Sequence, residues 1–161
     1  MREILEILEK DARTTPEEIA RMLGMAPKVV ASTIKKLEKD GVILKYKAIL
    51  NKEIDRIEDS AVRALIEVRI TPQKNLGFES VAERIYKFPE VASCYLMSGA
   101  YDLLVVVEGK NINTVANFVA EKLSPMEHVR GTVTHFILKK YKEDGDILKT
   151  SEKNKRQAIT L

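Results

Sequence analysis

Hydrophobic positions in the first forty residues recur at the spacing of amphipathic helices. Ile4 and Leu8 repeat at this spacing in REILEILEKDA, which predicts a first helix. A second helix is predicted in TTPEEIARMLG, where Thr15 is a candidate N-cap and Pro16 occupies the first helical position. Gly24 is suited to end this helix as a C-cap.

A third helix is predicted in PKVVASTIKKLEKDG, after only the link Met25-Ala26. Two helices joined by so short a link cross at a steep angle, which is the helix-turn-helix geometry. On a wheel of about 100° per residue, the third helix has one apolar side and one basic side. The apolar side holds Val30, Ile34 and Leu37, and the basic stripe holds Lys28, Ser32, Lys35 and Lys39.

This basic stripe is either a solvated helix face or a surface that enters the major groove of DNA. Because the helix follows a tight turn and the stripe is continuous, DNA binding is the favoured interpretation. Lysines would neutralise phosphates, and residues near the start of the helix would read bases. After Gly41, the β-rich segment VILKYKAIL predicts a wing beside the groove. The predicted DNA-binding residues are Lys28, Val29, Ser32, Thr33, Lys35, Lys36, Lys39, Lys45 and Lys47.

From residue 61 the pattern changes to strand, helix, strand, strand, helix, strand. AVRALIEVRIT, VASCYLMS, DLLVVVEG and VRGTVTHFILKKYK read as strands, with helices in GFESVAERIYKF and from near Asn113. This order predicts a ferredoxin-like βαββαβ domain, with two helices on one face of an antiparallel sheet. The other face would be open, which predicts at least a homodimer.

The fold class is therefore α+β, with four consecutive regions. Residues 1–50 form a winged helix-turn-helix domain, 51–60 a linker, 61–142 the ferredoxin-like domain and 143–161 a polar tail. The tail has little to bury and is expected to be mobile, or an arm that becomes ordered only in an oligomer.

Composition narrows the class of protein. The 161 residues are 45% hydrophobic and 32% charged, without an apolar run near the length of about 20 residues that a membrane span needs. The N-terminus alternates charged and apolar residues, unlike a signal peptide, so a cytoplasmic location is expected. The single Cys94 and two histidines show no metal-ligand spacing, and no cofactor is expected.

The stretch MSGAYDLLVVVEG places a Gly-Ala-Tyr-Asp turn before an apolar strand. Such a turn can expose N–H groups to a carboxylate, and Asp102 can accept from an ammonium group. Structural alternatives stay open at this point. Gly99 could be needed for a positive φ, Asp102 could bond its own turn, and Tyr101 could be core or interface area.

The order of these motifs resembles the Lrp/AsnC family, the leucine-responsive or feast/famine regulators, over residues 1 to about 142. LEKDARTTPEEIARMLGMAP resembles the family's opening, IKKLEKDGVILKYKAILN its recognition-helix end and wing, and YLMSGAYDLLVVVEG its effector-domain signature. The resemblance implies a sequence-specific regulator that binds double-stranded DNA and is not an enzyme. Its DNA affinity or assembly would respond to a small effector, usually an amino acid.

In this family the effector is held between neighbouring dimers, so the resemblance also implies a homodimer and a higher oligomer, up to an octamer. Thr132 and Thr134 match the paired threonines of its last strand, although threonine is also a good strand former. The implied effector-binding residues are Ser98, Gly99, Ala100, Tyr101, Asp102, Thr132 and Thr134.

The chain departs from the family pattern within the recognition helix. Ala26 stands where the family often has Ser, and Ser32 and Thr33 stand at the positions of an Arg pair. The target sequence therefore cannot be carried over. Two other classes stay open: an enzyme resembling siroheme decarboxylases, for which Arg130 and His135 are the only nearby candidates, and a nucleoid-type architectural protein.

Overall fold

The protein divides into two compact units, Met1–Leu50 and Asn51–Leu161. The computed structural model describes residues 1–51, 61–71 and 77–148. Nine of the ten residues of the predicted linker, 52–60, and residues 149–161 of the predicted tail lie outside the described residues. Within the described ranges, no helix is long and apolar enough to cross a membrane.

Three helices make up the first unit, as the pattern predicts. They are α1 (Arg2–Lys10), α2 (Pro16–Leu23) and α3 (Pro27–Lys39). Their apolar sides meet in a small core, because each helix is too amphipathic to be stable alone in water. The buried members of this core are Ile4, Leu8, Ile19, Ala20 and Val30.

Local side-chain chemistry fixes both ends of α2. The Thr15 hydroxyl accepts from the Glu18 N–H at 3.3 Å, and the Glu18 carboxylate accepts from the Thr15 N–H at 2.8 Å. This reciprocal capping box confirms the predicted helix start. It also holds the pKa of the Glu18 carboxyl below its usual value, chiefly through the Thr15 backbone N–H. Gly24 ends the helix in the left-handed region, with φ of 64°.

The segment predicted as a wing follows α3 without a strand among the described residues. Residues 42–51 contain no strand, and none of the described residues pairs with them. A β-strand needs a hydrogen-bonded neighbour, so a β-rich composition alone does not make one. The segment instead stays beside α3, where the Tyr46 hydroxyl donates to the Glu38 carboxylate at 3.0 Å.

The second unit confirms the predicted ferredoxin-like arrangement. One four-stranded sheet has the order β2-β3-β1-β4, and every neighbouring pair is antiparallel. The helix after β3 continues into a π-helical turn. In chain order the elements are β1 (Val62–Ile70), α4 (Glu79–Tyr86), β2 (Val91–Leu96), β3 (Leu103–Gly109), α5 (Ile112–Asn117), the π-helical turn (Phe118–Leu123) and β4 (Val129–Phe136).

The two faces of this sheet differ in burial. Alternate residues of β1, including Ile66 and Val68, are fully buried in the core on the helix side. The other face has no helix over it in the described residues, and it includes Leu65 of β1. Tyr95 and Val133 of the same face are 52% and 45% exposed. The second unit therefore presents apolar side chains on its open face, as the pattern predicts.

A short hairpin follows β4 and extends into the region where a polar tail is predicted, so the prediction of a tail is wrong for residues 143–147. Its strands are β5 (Lys142–Glu143) and β6 (Asp146–Ile147). Asp144 and Gly145 have φ of 46° and 97°, the positive values that a two-residue hairpin turn needs. Arg63 of β1 binds the Glu143 carboxylate at 2.7 Å and so ties the hairpin to the sheet.

Candidate functional sites

The third helix exposes a continuous lysine face. Val30 and Leu37 are 0% and 3% exposed on its core side, as the wheel predicts. The lysines of the stripe are all exposed. Among the residues that the structure describes, they form no ion pair, so their charges are available to phosphates. These lysines are Lys28, Lys35 and Lys39.

The polar residues of α3 offer limited base recognition. The Ser32 and Thr33 hydroxyls both donate to the Val29 carbonyl, at 2.9 and 2.8 Å. Their oxygens keep lone pairs that can accept from the amino groups of adenine or cytosine. The Val29 side chain is 48% exposed and could contact a thymine methyl group. These contacts lack the bidentate geometry that an arginine would provide.

The remaining predicted DNA-binding lysines lie beside this stripe or after it. Lys36 is exposed on α3, and Lys45 and Lys47 are exposed on the segment that follows. Tyr46 holds that segment against α3 through its bond to Glu38. Burial raises the pKa of Tyr46, and the hydrogen bond and charge of Glu38 raise it further. The wing lysines are thus placed by a side-chain bond rather than by a strand.

The Gly-Ala-Tyr-Asp turn joins β2 to β3 and is fastened by Asp102. The Met97 N–H donates to the Asp102 carbonyl at 2.8 Å, and the Asp102 N–H donates to the Val68 carbonyl at 3.0 Å. The Asp102 Oδ2 accepts from the Ile70 N–H at 2.7 Å. The Asp102 side chain therefore bonds the neighbouring strand β1, while its backbone carbonyl closes the turn.

The other residues of this turn are largely accessible. Ser98, Gly99 and Ala100 are exposed, and Tyr101 is half-buried. Gly99 does not have a positive φ, and a Cβ at this position would meet no atom within 4 Å. The backbone conformation of Gly99 therefore does not require glycine.

A cleft of about 370 Å³ lies beside the turn in the second unit. It brings Ala100 of the turn together with Thr132 of β4, two of the predicted effector-binding residues. Thr134 does not line this cleft; it pairs with Ile66, on the helix side of the sheet. The full lining is Glu67, Arg69, Ala100, Arg130, Gly131, Thr132 and Val133.

Four of these lining residues are absent from the sequence prediction: Glu67, Arg69, Gly131 and Val133. Arg130 enters the sequence analysis only as a candidate for catalysis. The residues come from β1 and β4, which are far apart in the chain and adjacent in the sheet. Alternation along β1 shows that Glu67 and Arg69 share a face, but only the pairing of β1 with β4 brings Arg69 opposite Gly131.

The charges of the cleft are unevenly compensated. The Glu67 Oε1 lies 3.1 Å from the His135 Nε2, so this carboxylate already has a partner. Within the described ranges, Arg69 and Arg130 have neither an ion pair nor a side-chain hydrogen bond. Both guanidinium groups are therefore available to an anion.

Other chemistry-bearing residues in the described part of the chain do not gather into a site. No group of three His, Cys, Asp or Glu side chains there could hold a metal ion. Cys94 is half-buried beside the core, and burial raises the pKa of its thiol. A raised pKa lowers the thiolate fraction, which suits a structural rather than a reactive cysteine.

Comparison with known families matches both units. Residues 1–43 match the model of a winged helix-turn-helix DNA-binding domain. Residues 63–147 match the model of the Lrp/AsnC ligand binding domain. The second match ends at Ile147, so it includes the hairpin that follows β4.

Similar proteins extend the match over nearly the whole chain. An uncharacterised HTH-type transcriptional regulator of Bacillus subtilis, YugG, is 48% identical, over 98% of this chain and 95% of its own. The transcriptional regulator FL11 of Pyrococcus furiosus is 32% identical, over 91% and 92%. A solved structure of the Neisseria meningitidis regulator NMB0573 with L-Met has a TM-score of 0.68 and 28% identity, over 88% and 89%. The chain belongs to the Lrp/AsnC family of transcription regulators, with a helix-turn-helix domain before a ligand-binding domain.

Proposed function

We propose that the protein is a homo-oligomeric, sequence-specific regulator whose DNA affinity or assembly responds to an amino acid bound beside the Gly-Ala-Tyr-Asp turn. One observation carries the proposal: the turn and β4 border the same cleft, in a chain whose α3 presents uncompensated lysines. The relatives are named as regulators, which supports a DNA-binding rather than an enzymatic role. Its place of action would be the cytoplasm.

For the DNA-binding part, α3 would enter the major groove of double-stranded DNA, and Lys28, Lys35 and Lys39 would contact phosphates. Lys28→Ala and Lys35→Ala should weaken binding to duplexes recovered by in vitro selection, measured by fluorescence anisotropy. Each substitution should also reduce the slope of the logarithm of the binding constant against the logarithm of the salt concentration by about one. The matched control is Lys110→Ala, an exposed lysine of the second unit. Unchanged binding in both α3 variants would remove α3 from the interface.

The same selection separates a regulator from an architectural protein. A sequence-specific regulator should enrich a defined motif, because several base contacts each discriminate by about 1–3 kcal/mol. If the protein binds DNA strongly but the selection enriches no motif, the nucleoid-type alternative is favoured instead. The lack of arginines in α3 predicts a motif of modest information content.

For the effector part, NMB0573 was solved with L-Met, which supports an amino-acid ligand in this family. Calorimetry across the common amino acids should find at least one that binds and changes DNA affinity. Ala100→Leu should weaken that binding, because Ala100 is exposed and lines the cleft. Ala92→Leu on β2 is the matched control, since Ala92 is also exposed and does not line the cleft. Equal loss in both variants would argue against the cleft.

For assembly, a second copy of the chain would cover the open face of the sheet at β2 and β3, beside the cleft that β1 and β4 line. Tyr95 is 52% exposed on that face, opposite Leu104 of β3. Tyr95→Glu should shift the sedimentation coefficient towards the monomer, because a charge in an apolar interface loses solvation without a partner. Tyr86→Glu is the control, as Tyr86 is 55% exposed on α4. A wild-type chain that sediments as a monomer would contradict the homodimer.

A further inference from the structure

We propose that the effector is a dicarboxylate, bound by Arg69 and Arg130 at the cleft beside the turn. This inference rests on the proposed function, since it names the chemical class of the molecule that the same cleft would take. A guanidinium group presents donors in a planar fork that matches a carboxylate. Two such groups line one small cleft, and neither has an ion-pair partner in the described part of the chain.

A β-bulge accounts for the position of Arg130. Arg69 pairs with Gly131, and the next residue of β1, Ile70, pairs with Val129. Arg130 is therefore the extra residue of β4, opposite no residue of β1. Bulges of this kind redirect a side chain that would otherwise follow the strict alternation of the strand. Here the extra residue is one of the two arginines that line the cleft.

Gly131 leaves the space that a ligand would fill. It lies directly opposite Arg69, lines the cleft and carries no side chain. Its φ is not positive, and a Cβ built on it would meet no atom within 4 Å. The backbone would therefore accept a larger residue, and glycine at this position keeps the cleft open. A cleft of about 370 Å³ is within the range of small-molecule sites.

The lining of the cleft carries two guanidinium groups, those of Arg69 and Arg130, against one carboxylate, that of Glu67, so positive charge is in excess. The Asp102 Oδ2 is bonded to the Ile70 N–H, and the Glu67 Oε1 to the His135 ring. A neutral amino acid brings one carboxylate, which the accessible turn or one arginine could bind. The second arginine would then lack a partner, so a second carboxylate on the ligand is favoured.

Calorimetry on the full-length protein tests this class directly. The probes are L-glutamate and L-aspartate, the dicarboxylates succinate and 2-oxoglutarate, and the comparison amino acids L-leucine, L-methionine and L-lysine. We expect the best dicarboxylate to bind at least about tenfold tighter than any of the three comparison amino acids, because a charge-assisted bidentate contact is lost in the latter. A comparison of L-glutamate and L-aspartate with succinate and 2-oxoglutarate shows whether the ligand also needs an ammonium group.

Arg69→Gln and Arg130→Gln should each remove this preference, lowering dicarboxylate affinity about tenfold and the affinity for the comparison amino acids by less. Arg84→Gln, an exposed arginine on α4 outside this cleft, should leave it intact. Gly131→Leu should reduce affinity for every probe by filling the cleft, with an unchanged melting temperature. That variant keeps both arginines and so tests the location separately from the charge.

The outcomes separate this inference from the proposed function. A neutral amino acid that binds as tightly as the dicarboxylates, or a preference that survives both arginine substitutions, overturns the dicarboxylate inference and leaves an amino-acid regulator in place. Binding of no probe and no other amino acid to the wild-type protein overturns both. A dicarboxylate preference that disappears with either arginine, and not with Arg84→Gln, supports the inference, and it supports the amino-acid regulator as well when the preferred probe is L-glutamate or L-aspartate.

Discussion

The two units hold their functional groups in different ways. In the first unit, the lysine stripe lies on a single helix, and its members are spaced by the helical repeat alone. In the second unit, the cleft takes residues from the β2–β3 turn, from β1 and from β4. The proposed DNA-binding surface is thus a local property of one segment, whereas the cleft exists only once the sheet has formed.

The two units also differ in how far a binding residue can be substituted without a change in stability. The exposed lysines of α3 contribute little to the core, so their substitution should change DNA affinity alone. At the turn, Asp102 bonds the backbone of β1 and so supports the scaffold of a turn whose Ala100 lines the proposed site. Variants of the two units therefore need different controls.

The largest expected effect is loss of the small core of the first unit. Ile19 is 0% exposed in a cluster of five buried residues. Ile19→Ala should lower the free energy of unfolding by about 2–5 kcal/mol, a large share of the stability of so small a unit. Hydrogen exchange on the full chain should show lost protection in residues 1–50 and retained protection in β1 and β3.

Met22→Ala is the matched control for this variant, because Met22 is 66% exposed on the same helix. It should change exchange protection by little. Equal loss of protection in both units of Ile19→Ala would show that they unfold as one cooperative body, which would remove the comparison drawn above.

A smaller effect is expected at Asp102, which fastens the turn beside the proposed site. Asp102→Ala leaves the Ile70 N–H without its acceptor, which should cost about 1–3 kcal/mol of stability. Asp102→Asn keeps a carbonyl acceptor and should cost less. Urea unfolding of both variants checks the order, and Ser98→Ala serves as an exposed control in the same turn. Equal stability of wild type and Asp102→Ala would show that the bond carries no net free energy.

The sequence predicts the fold of both units because their signals are local. Thr15, Pro16 and Gly24 mark the ends of α2, and alternation along β1 separates buried Ile66 and Val68 from Glu67 and Arg69. The β-rich segment after α3 contains no strand among the described residues, because a strand depends on a partner, which no pattern within one segment can reveal. The hairpin after β4 has a local signal, the Asp144-Gly145 turn, which its polar composition obscures.

The two candidate sites differ in the same way. The wheel of α3 already groups the lysines, so the structure adds mainly the engaged hydroxyls of Ser32 and Thr33. At the cleft, a family signature identifies the turn but not its neighbours. Arg130 lies beside Arg69 because of a register shift in the sheet, and register is set by tertiary packing.

A moderate effect is expected from the cap of α2 in the first unit. Thr15→Ala removes the acceptor for the Glu18 N–H and should cost about 0.5–2 kcal/mol. Thr15→Ser keeps the hydroxyl and should remain near wild type. Thermal unfolding followed by circular dichroism measures both variants. If Thr15→Ser loses as much stability as Thr15→Ala, the loss comes from the packing of the threonine methyl group and not from the cap.

The smallest effect concerns the hairpin, and it depends on pH. The Glu143 carboxyl has its pKa lowered from the usual 4.5, first by the Lys140 hydrogen bond and also by Arg63. Because the folded pKa is the lower one, the stabilisation is complete above the unfolded value and is lost as pH falls through the folded value. The loss should be about 1 kcal/mol or less, as these pairs are partly solvated.

Protection of the Leu148 N–H reports this change, because it donates to the Tyr141 carbonyl at 3.0 Å and closes the hairpin. Its protection factor, measured by NMR and corrected for intrinsic exchange, should fall below about pH 4.5 in the wild type. In Glu143→Gln, the Leu148 N–H should be less protected at neutral pH than in the wild type, and its protection should not fall further as the pH is lowered. Asp146→Asn, at an exposed position of β6, should behave as wild type. If Glu143→Gln titrates like the wild type, the Asp144-Gly145 turn alone holds the hairpin, and its link to β1 contributes nothing.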